Sequence, residues 1–156
     1  MKKTNVIREL DSKKIKYKTH EYEVDENSLD AISVSLKTGQ DITKIFKTLV
    51  LLNEKKELIV ACVPGSDHID LKKLAKVSGD KKLEMLDVKK LLSTTGYMRG
   101  GCSPIGIKRK HKSFIHKSAL KFETILVSAG KRGIQLEIDP IDLIKYLDMT
   151  IEDIIE

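Results

Sequence analysis

Two apolar runs separated by a charged turn constrain this chain more than anything else in it. Phe46-Lys47-Thr48-Leu49-Val50-Leu51-Leu52 is apolar and β-branched almost throughout. Asn53-Glu54-Lys55-Lys56 breaks it, and Leu58-Ile59-Val60-Ala61-Cys62-Val63 resumes until Pro64-Gly65. The spacing predicts a hairpin. Both faces of each run are apolar, so both must be covered, and the pair belongs in the middle of a sheet.

The remaining elements supply neighbours and cover. Thr4 is placed to cap a short helix with Val6, Ile7 and Leu10 on its apolar face. Residues 15 to 24 alternate around Ile15, Tyr17, Tyr22 and Val24, the pattern of a half-buried strand. Ser28 can cap a helix through Leu36 that ends near Gly39, and Asp70 one that carries Leu71, Leu74, Ala75 and Val77 up to Gly79. Residues 83 to 86 read as extended, and Asp87 starts a helix with Val88, Leu91 and Leu92. Phe114-Ile115, residues 124 to 127 and residues 134 to 138 read as strands. Pro140 opens a helix with Ile141, Leu143, Ile144 and Leu147, and Thr150 caps a last short turn. Helices interspersed with hairpins predict an α+β fold: a mixed, largely antiparallel sheet with helices packed on it. With 156 residues, no repeat and no linker, the expected organisation is one domain, 1–156.

Composition narrows the function. No stretch approaches the ~20 apolar residues that span a bilayer. Met1-Lys2-Lys3-Thr4-Asn5 has no apolar run behind its charges, so it does not read as a secretory leader. Two cysteines make no disulfide framework, and no zinc spacing occurs. The expectation is a cytoplasmic protein with no membrane partner, no metal and no cofactor. Lys plus Arg is 29 against 23 acids, a net charge of +6, which suits either a polyanionic partner or a solvated lysine-rich surface. Without Trp, and with three Phe and four Tyr, a stacking platform for single-stranded nucleic acid is not indicated. RNA contacts would go mainly to phosphate.

Chemistry concentrates in a few segments. Gly96-Tyr97-Met98-Arg99-Gly100-Gly101-Cys102-Ser103-Pro104-Ile105-Gly106 specifies a tight backbone path whose amides can bind an anion or a developing oxyanion, or simply make a turn. Val127-Ser128-Ala129-Gly130-Lys131-Arg132-Gly133 puts a serine at a strand end and two cations on a turn. Lys47 either snorkels to water or aims its ammonium into a pocket, where it could bind an ester carbonyl or a terminal ribose oxygen. Lys108-Arg109-Lys110-His111-Lys112 is a phosphate-contact candidate or a solvated strand edge. Cys102, with Arg99 three residues away, is a candidate nucleophile, whereas Cys62 reads as core. His20, His68, His111 and His116 are scattered and fix no catalytic geometry.

Phe46-Lys47-Thr48-Leu49, the loop ending Gly100-Gly101-Cys102-Ser103-Pro104-Ile105-Gly106 and the Val127–Gly133 segment, in that order, resemble the YbaK/EbsC family. These are aminoacyl-tRNA deacylases related to the editing domain of prolyl-tRNA synthetase, and the likeness covers nearly the whole chain. The branch that removes cysteine from mischarged tRNA(Pro) is the best match. The resemblance implies a mixed sheet curled toward a barrel with surrounding helices, and cleavage of the aminoacyl ester at the tRNA 3′ end. It gives Lys47, Gly100 and Gly101 the catalytic positions and Tyr22, Thr48 and Ser128 the substrate pocket. In this branch the thiol of the bound cysteine attacks its own carbonyl, so no enzyme nucleophile is needed. Lys108, Arg109, Lys110, Lys131 and Arg132 would then hold the acceptor stem, and prolyl-tRNA synthetase is an expected partner. The chain departs from the family at Leu29, where an aromatic residue is common, and at Gln135, where another member has an acid. The alternatives are a non-catalytic tRNA- or synthetase-binding module, a deacylase for another misacylated tRNA, and an enzyme that uses Cys102.

Overall fold

The computed structural model describes residues 3–156; the part of the leader reading that falls on Met1 and Lys2 lies outside them. The chain opens with α1 (Asn5–Ser12), β1 (Lys18–Glu21), α2 (Ala31–Thr38) and a 3-10 turn at Ile42–Lys44. The hairpin β2 (Phe46–Asn53) and β3 (Leu58–Pro64) follows, then α3 (Leu71–Ser78), β4 (Leu83–Met85) and α4 (Leu91–Thr95). β5 (His111–His116), β6 (Ile125–Ser128), β7 (Ile134–Ile138), α5 (Pro140–Leu147) and β8 (Thr150–Glu152) complete it.

The strands form two sheets. One is antiparallel, in the order β1-β7-β6; the other is mixed, in the order β4-β2-β3-β5-β8. β2 pairs antiparallel with β3 and β4, while β3–β5 and β5–β8 are parallel. Among the described residues a single parallel bridge, Ile45 to Leu126, joins the sheets, and they do not close into a barrel. The hairpin sits centrally as its sequence requires: all seven residues of β3 are buried. α3 covers one face, packing Leu74 and Ala75 on Leu51, Ile59, Ala61 and Val63. Ile107 and Leu91 cover Val50, Leu58 and Val60 on the other. A further cluster joins α1 (Val6, Ile7, Leu10) and Leu143 of α5 to Ile125, Val127, Leu136 and Ile138 of the antiparallel sheet. Among the described residues no helix is long and apolar enough to cross a membrane.

Several boundaries move. α2 is capped by Asp30, whose Oδ1 accepts from the Ser33 amide at 3.3 Å, and not by Ser28. The strand expected over residues 15 to 24 contracts to four residues, the stretch that β7 pairs. Asp87 caps a 3-10 turn, Val88–Lys90, before α4 begins. Thr150 caps nothing; it starts β8, which pairs with the outer edge of β5. Three residues are too few to show a two-residue alternation, so only the vacant edge of β5 selects that strand.

Candidate functional site

The cleft arises where a ladder stops. β4 pairs only with Leu51–Asn53 of β2, so among the described residues Phe46–Leu49 has β3 on one side and no paired strand on the other. Across that gap stand the ends of β6 and β7. The resulting cleft, about 380 Å³, is lined among others by Tyr22, Leu29, Lys47, Thr48, Gly100, Cys102, Ser128 and Gln135. The edge itself is chemically useful. The Val50 carbonyl accepts from the Leu86 amide on this outer side at 2.9 Å. The two-residue repeat of an antiparallel ladder turns the peptide groups of Thr48 the same way, toward the cleft.

Lys47 is half-buried and points into this space. Its Nζ donates to the Gly65 carbonyl at 3.3 Å. Burial pushes its pKa below the usual lysine range, and the Asp67 carboxylate pulls it back up. One long hydrogen bond leaves further ammonium protons for a ligand. Of the two behaviours open to a lysine at the start of an apolar strand, the structure selects the inward one.

The glycine loop brings Arg99, Gly100 and Cys102 to the cleft. Gly100 has φ +86 and packs on Leu29; a Cβ there would meet the Leu29 side chain at 3.3 Å. Gly101 is arranged differently. Its amide is spent on the Met98 carbonyl at 2.9 Å, and a Cβ at this position would come within 3.0 Å of the Arg132 amide nitrogen. Gly101 is a point of close approach between two turns, and its N–H is not offered to the cleft. Arg132 reinforces that contact through its Nε, which donates to the Arg99 carbonyl at 2.6 Å.

Ser128 ends β6, and its Oγ accepts the Gly130 amide at 3.1 Å, which leaves the hydroxyl proton free to point at a ligand. Gln135 lies opposite Ser128 in the β6–β7 register. It is 5% exposed, and among the described residues its Oε1 has no hydrogen-bond partner. An unpaired buried carbonyl costs about 1–3 kcal/mol. Here it faces the cleft that a substrate would fill. Sequence reading noted Gln135 only as a departure from a family pattern; its isolation is a tertiary fact.

The other candidates are distributed elsewhere or disarmed. Burial raises the Cys102 thiol to about 11 and that of Cys62 to about 12. Cys102 therefore carries almost no thiolate at neutral pH, and the nearby Arg99 does not offset its burial. Lys131 is exposed, on the turn behind Gly101. Lys108, Arg109 and Lys110 are exposed too, and the first two border a separate cleft, beside Glu9, Gly96, Tyr97 and Gly106. His20 pairs with Glu137 at 2.6 Å, and His116 is buried beside Asp153. Among the described residues no three His, Cys, Asp or Glu side chains gather as a metal ion would need.

Comparison with known proteins places this geometry. The sequence profile of the aminoacyl-tRNA editing domain matches residues 26–146. A relative in Enterococcus faecalis, EbsC, described as a Cys-tRNA(Pro)/Cys-tRNA(Cys) deacylase, is 48% identical over 138 residues, covering 88% of this chain and 84% of its own. A proline–tRNA ligase of Brachyspira hyodysenteriae is 28% identical over 104 residues, 62% of this chain and 18% of the ligase. A solved structure described as a trans-editing enzyme for prolyl tRNA synthetase superposes with a TM-score of 0.79 at 21% identity, over 90% of this chain and 87% of that one.

Proposed function

This chain belongs to the aminoacyl-tRNA editing domain family, and we propose that it is a trans-editing deacylase that clears cysteine from mischarged tRNA(Pro). The observation that carries the reading is the cleft beside the unpaired edge of β2. It joins a half-buried ammonium to outward-turned peptide groups, and burial raises the Cys102 thiol beside them to about 11.

Such a site suits a substrate that brings its own nucleophile. The cysteinyl thiol loses its proton, and its sulfur forms a bond to the ester carbonyl carbon. The C–O bond to the terminal ribose then breaks, the electron pair goes to the ribose oxygen, and that oxygen takes a proton. The products are a thiolactone and free tRNA. The attack is intramolecular, so its effective molarity is high, and the protein has mainly to fold the ester and stabilise charge. Lys47 holds the ribose end and donates to the departing oxygen. The amides of Gly100 and Thr48 meet the carbonyl oxygen as it becomes anionic. Gly101 places the loop, Ser128 and Tyr22 bound the pocket, and the Gln135 Oε1 accepts from the substrate ammonium.

Outside the cleft, Lys131 and Arg132 adjoin the loop that would flank the 3′ end, and Lys108, Arg109 and Lys110 offer phosphate contacts further along an acceptor stem. Prolyl-tRNA synthetase is the partner that this substrate implies, and the cytoplasm the place of action. The test is a deacylation time course with Cys-tRNA(Pro) and Ser-tRNA(Pro). Wild type should clear the first and leave the second, and Lys47→Ala should lose about 10²-fold, the usual cost of one transition-state donor. Equal rates for wild type and Lys47→Ala remove Lys47 from the mechanism, and undiminished turnover of Ser-tRNA(Pro) removes the thiol attack.

A further inference from the structure

The peptide group between Arg99 and Gly100 can point either way, and turn type decides which. The Gly101 amide donates to the Met98 carbonyl at 2.9 Å, closing a four-residue turn over residues 98–101. Gly100, third in that turn, has φ +86, while Arg99, second, is not left-handed. That combination is a type II turn, and a type I turn differs from it by a flip of the middle peptide. The peptide is trans, so its C=O and N–H point in opposite directions and a flip reverses both together. In the observed turn the Arg99 carbonyl accepts from Arg132 Nε at 2.6 Å. Among the described residues the Gly100 amide, at the other end of the same peptide, has no hydrogen-bond partner. We propose that Arg132 is a positioning residue for the Gly100 amide: its guanidinium pins the carbonyl end of this peptide, and so keeps the N–H end free for the oxygen of the bound ester.

The packing around the turn suits this duty. A Cβ on Gly101 would come within 3.0 Å of the Arg132 amide nitrogen, and one on Gly100 within 3.5 Å of Arg132 Nε, so backbone and side chain of the arginine both abut the turn. No other described group holds the Arg99 carbonyl. The charge of Arg132 also suits a phosphate of the acceptor stem, and the two roles make different demands. A phosphate needs a positive charge at position 132, whereas the peptide needs an N–H donor where Nε stands. Lysine keeps the charge but places a methylene there. Glutamine carries no charge, but its amide nitrogen lies the same number of bonds from Cα as the arginine Nε.

The inference rests on the deacylase reading, and the experiment separates the two. kcat and KM for Cys-tRNA(Pro) are measured, with spontaneous hydrolysis subtracted, for wild type, Arg132→Lys and Arg132→Gln. Arg132→Lys should lose about 10- to 10²-fold in kcat with KM within about twofold, because the amide acts on the developing oxyanion and not on the bound ground state. Arg132→Gln should exceed Arg132→Lys in kcat by about fivefold or more, with a KM raised by the lost charge. A glutamine variant no faster than the lysine variant overturns the proposal. So does a lysine variant that keeps the wild-type kcat, and a KM raised in Arg132→Gln alone then assigns Arg132 to phosphate. A wild-type protein inert toward Cys-tRNA(Pro) overturns instead the reading on which the inference stands.

Discussion

Gly65 is the tightest point of the site, and replacing it with alanine tests how the cleft is held open. A Cβ there would fall far inside van der Waals contact with the Ala31 Cβ, and it would also meet the Ile45 carbonyl oxygen at 3.3 Å. The backbone at Gly65 is not left-handed, so alanine is opposed by space and not by φ. The two methyl carbons must separate by about 1 Å or more to reach an ordinary contact. Either α2 shifts, and with it Leu29 and Val34 of the cleft wall, or the turn shifts with the carbonyl that holds Lys47. Overpacking of this kind costs about 1–3 kcal/mol, and a displacement near 1 Å at a reacting centre costs up to ~10²-fold in rate. Removing the opposing methyl should undo both. Ala31 is the first residue of α2, just after its cap, so Ala31→Gly alone should cost less than the ~1 kcal/mol of a helix interior. Urea unfolding of the two single variants and the double variant gives the coupling directly. We expect Gly65→Ala/Ala31→Gly to recover about 1–2 kcal/mol and most of the deacylation rate. Strict additivity of the two changes would refute the claim that this single contact sets the distance between helix and turn.

Other perturbations follow from the same geometry. Gln135→Met removes an unpaired buried carbonyl while keeping an unbranched side chain, so the variant should gain about 1 kcal/mol in urea unfolding and lose kcat/KM for Cys-tRNA(Pro); a variant that keeps full activity argues against Gln135 as a substrate contact. Cys102→Ala should deacylate within about twofold of wild type, because a thiol raised to about 11 is not the nucleophile, and a loss of ~10³-fold would reinstate it. Glu137 is held below the usual carboxylate range, first by the Thr124 hydroxyl at 2.5 Å and then by His20. A depressed carboxylate stabilises the fold above about pH 4.3 and loses that contribution as the pH falls through its folded value. Thr124→Val should therefore lower the melting temperature at pH 7 and narrow the gap to wild type by pH 3; parallel melting curves across that range would count against the linkage.

Much of this protein can be read without coordinates because its signals are local. The two runs around Asn53–Lys56 demand burial on both faces, and the β2–β3 pair is found in the sheet interior. Caps at Thr4 and Asp70, and Pro140 at the first helical position, mark helices because an unsatisfied amide or a missing N–H acts within one turn. Misjudged boundaries fall where the deciding partner is remote. Asp30 and Ser28 are equally able caps, and the packing of α2 chooses between them. β8 exists because β5 has a free edge. The same division runs through the site. Phenylalanine, lysine and threonine at 46–48, the glycines at 100 and 101 and the serine at 128 stand out as segments, and five of the six catalytic and substrate-pocket residues expected from them meet in one cleft. Their individual offices do not stand out: an amide that looks available at Gly101 is consumed by Met98, and Lys108 and Arg109 of the basic run border a separate cleft.

What the residue order determined by itself is the composition of the parts: which stretches must be buried, where turns fall, and which side chains carry charge into apolar surroundings. What only the folded chain decided is the vacancy between them. β4 is three residues long and stops short of Leu49, so a ladder ends early, a strand edge is left unpaired, and Lys47, Gln135 and Gly65 come to surround it. Hydrophobic patterning is a property of neighbours in sequence, whereas the point at which pairing ends depends on the lengths and positions of strands that meet only in three dimensions.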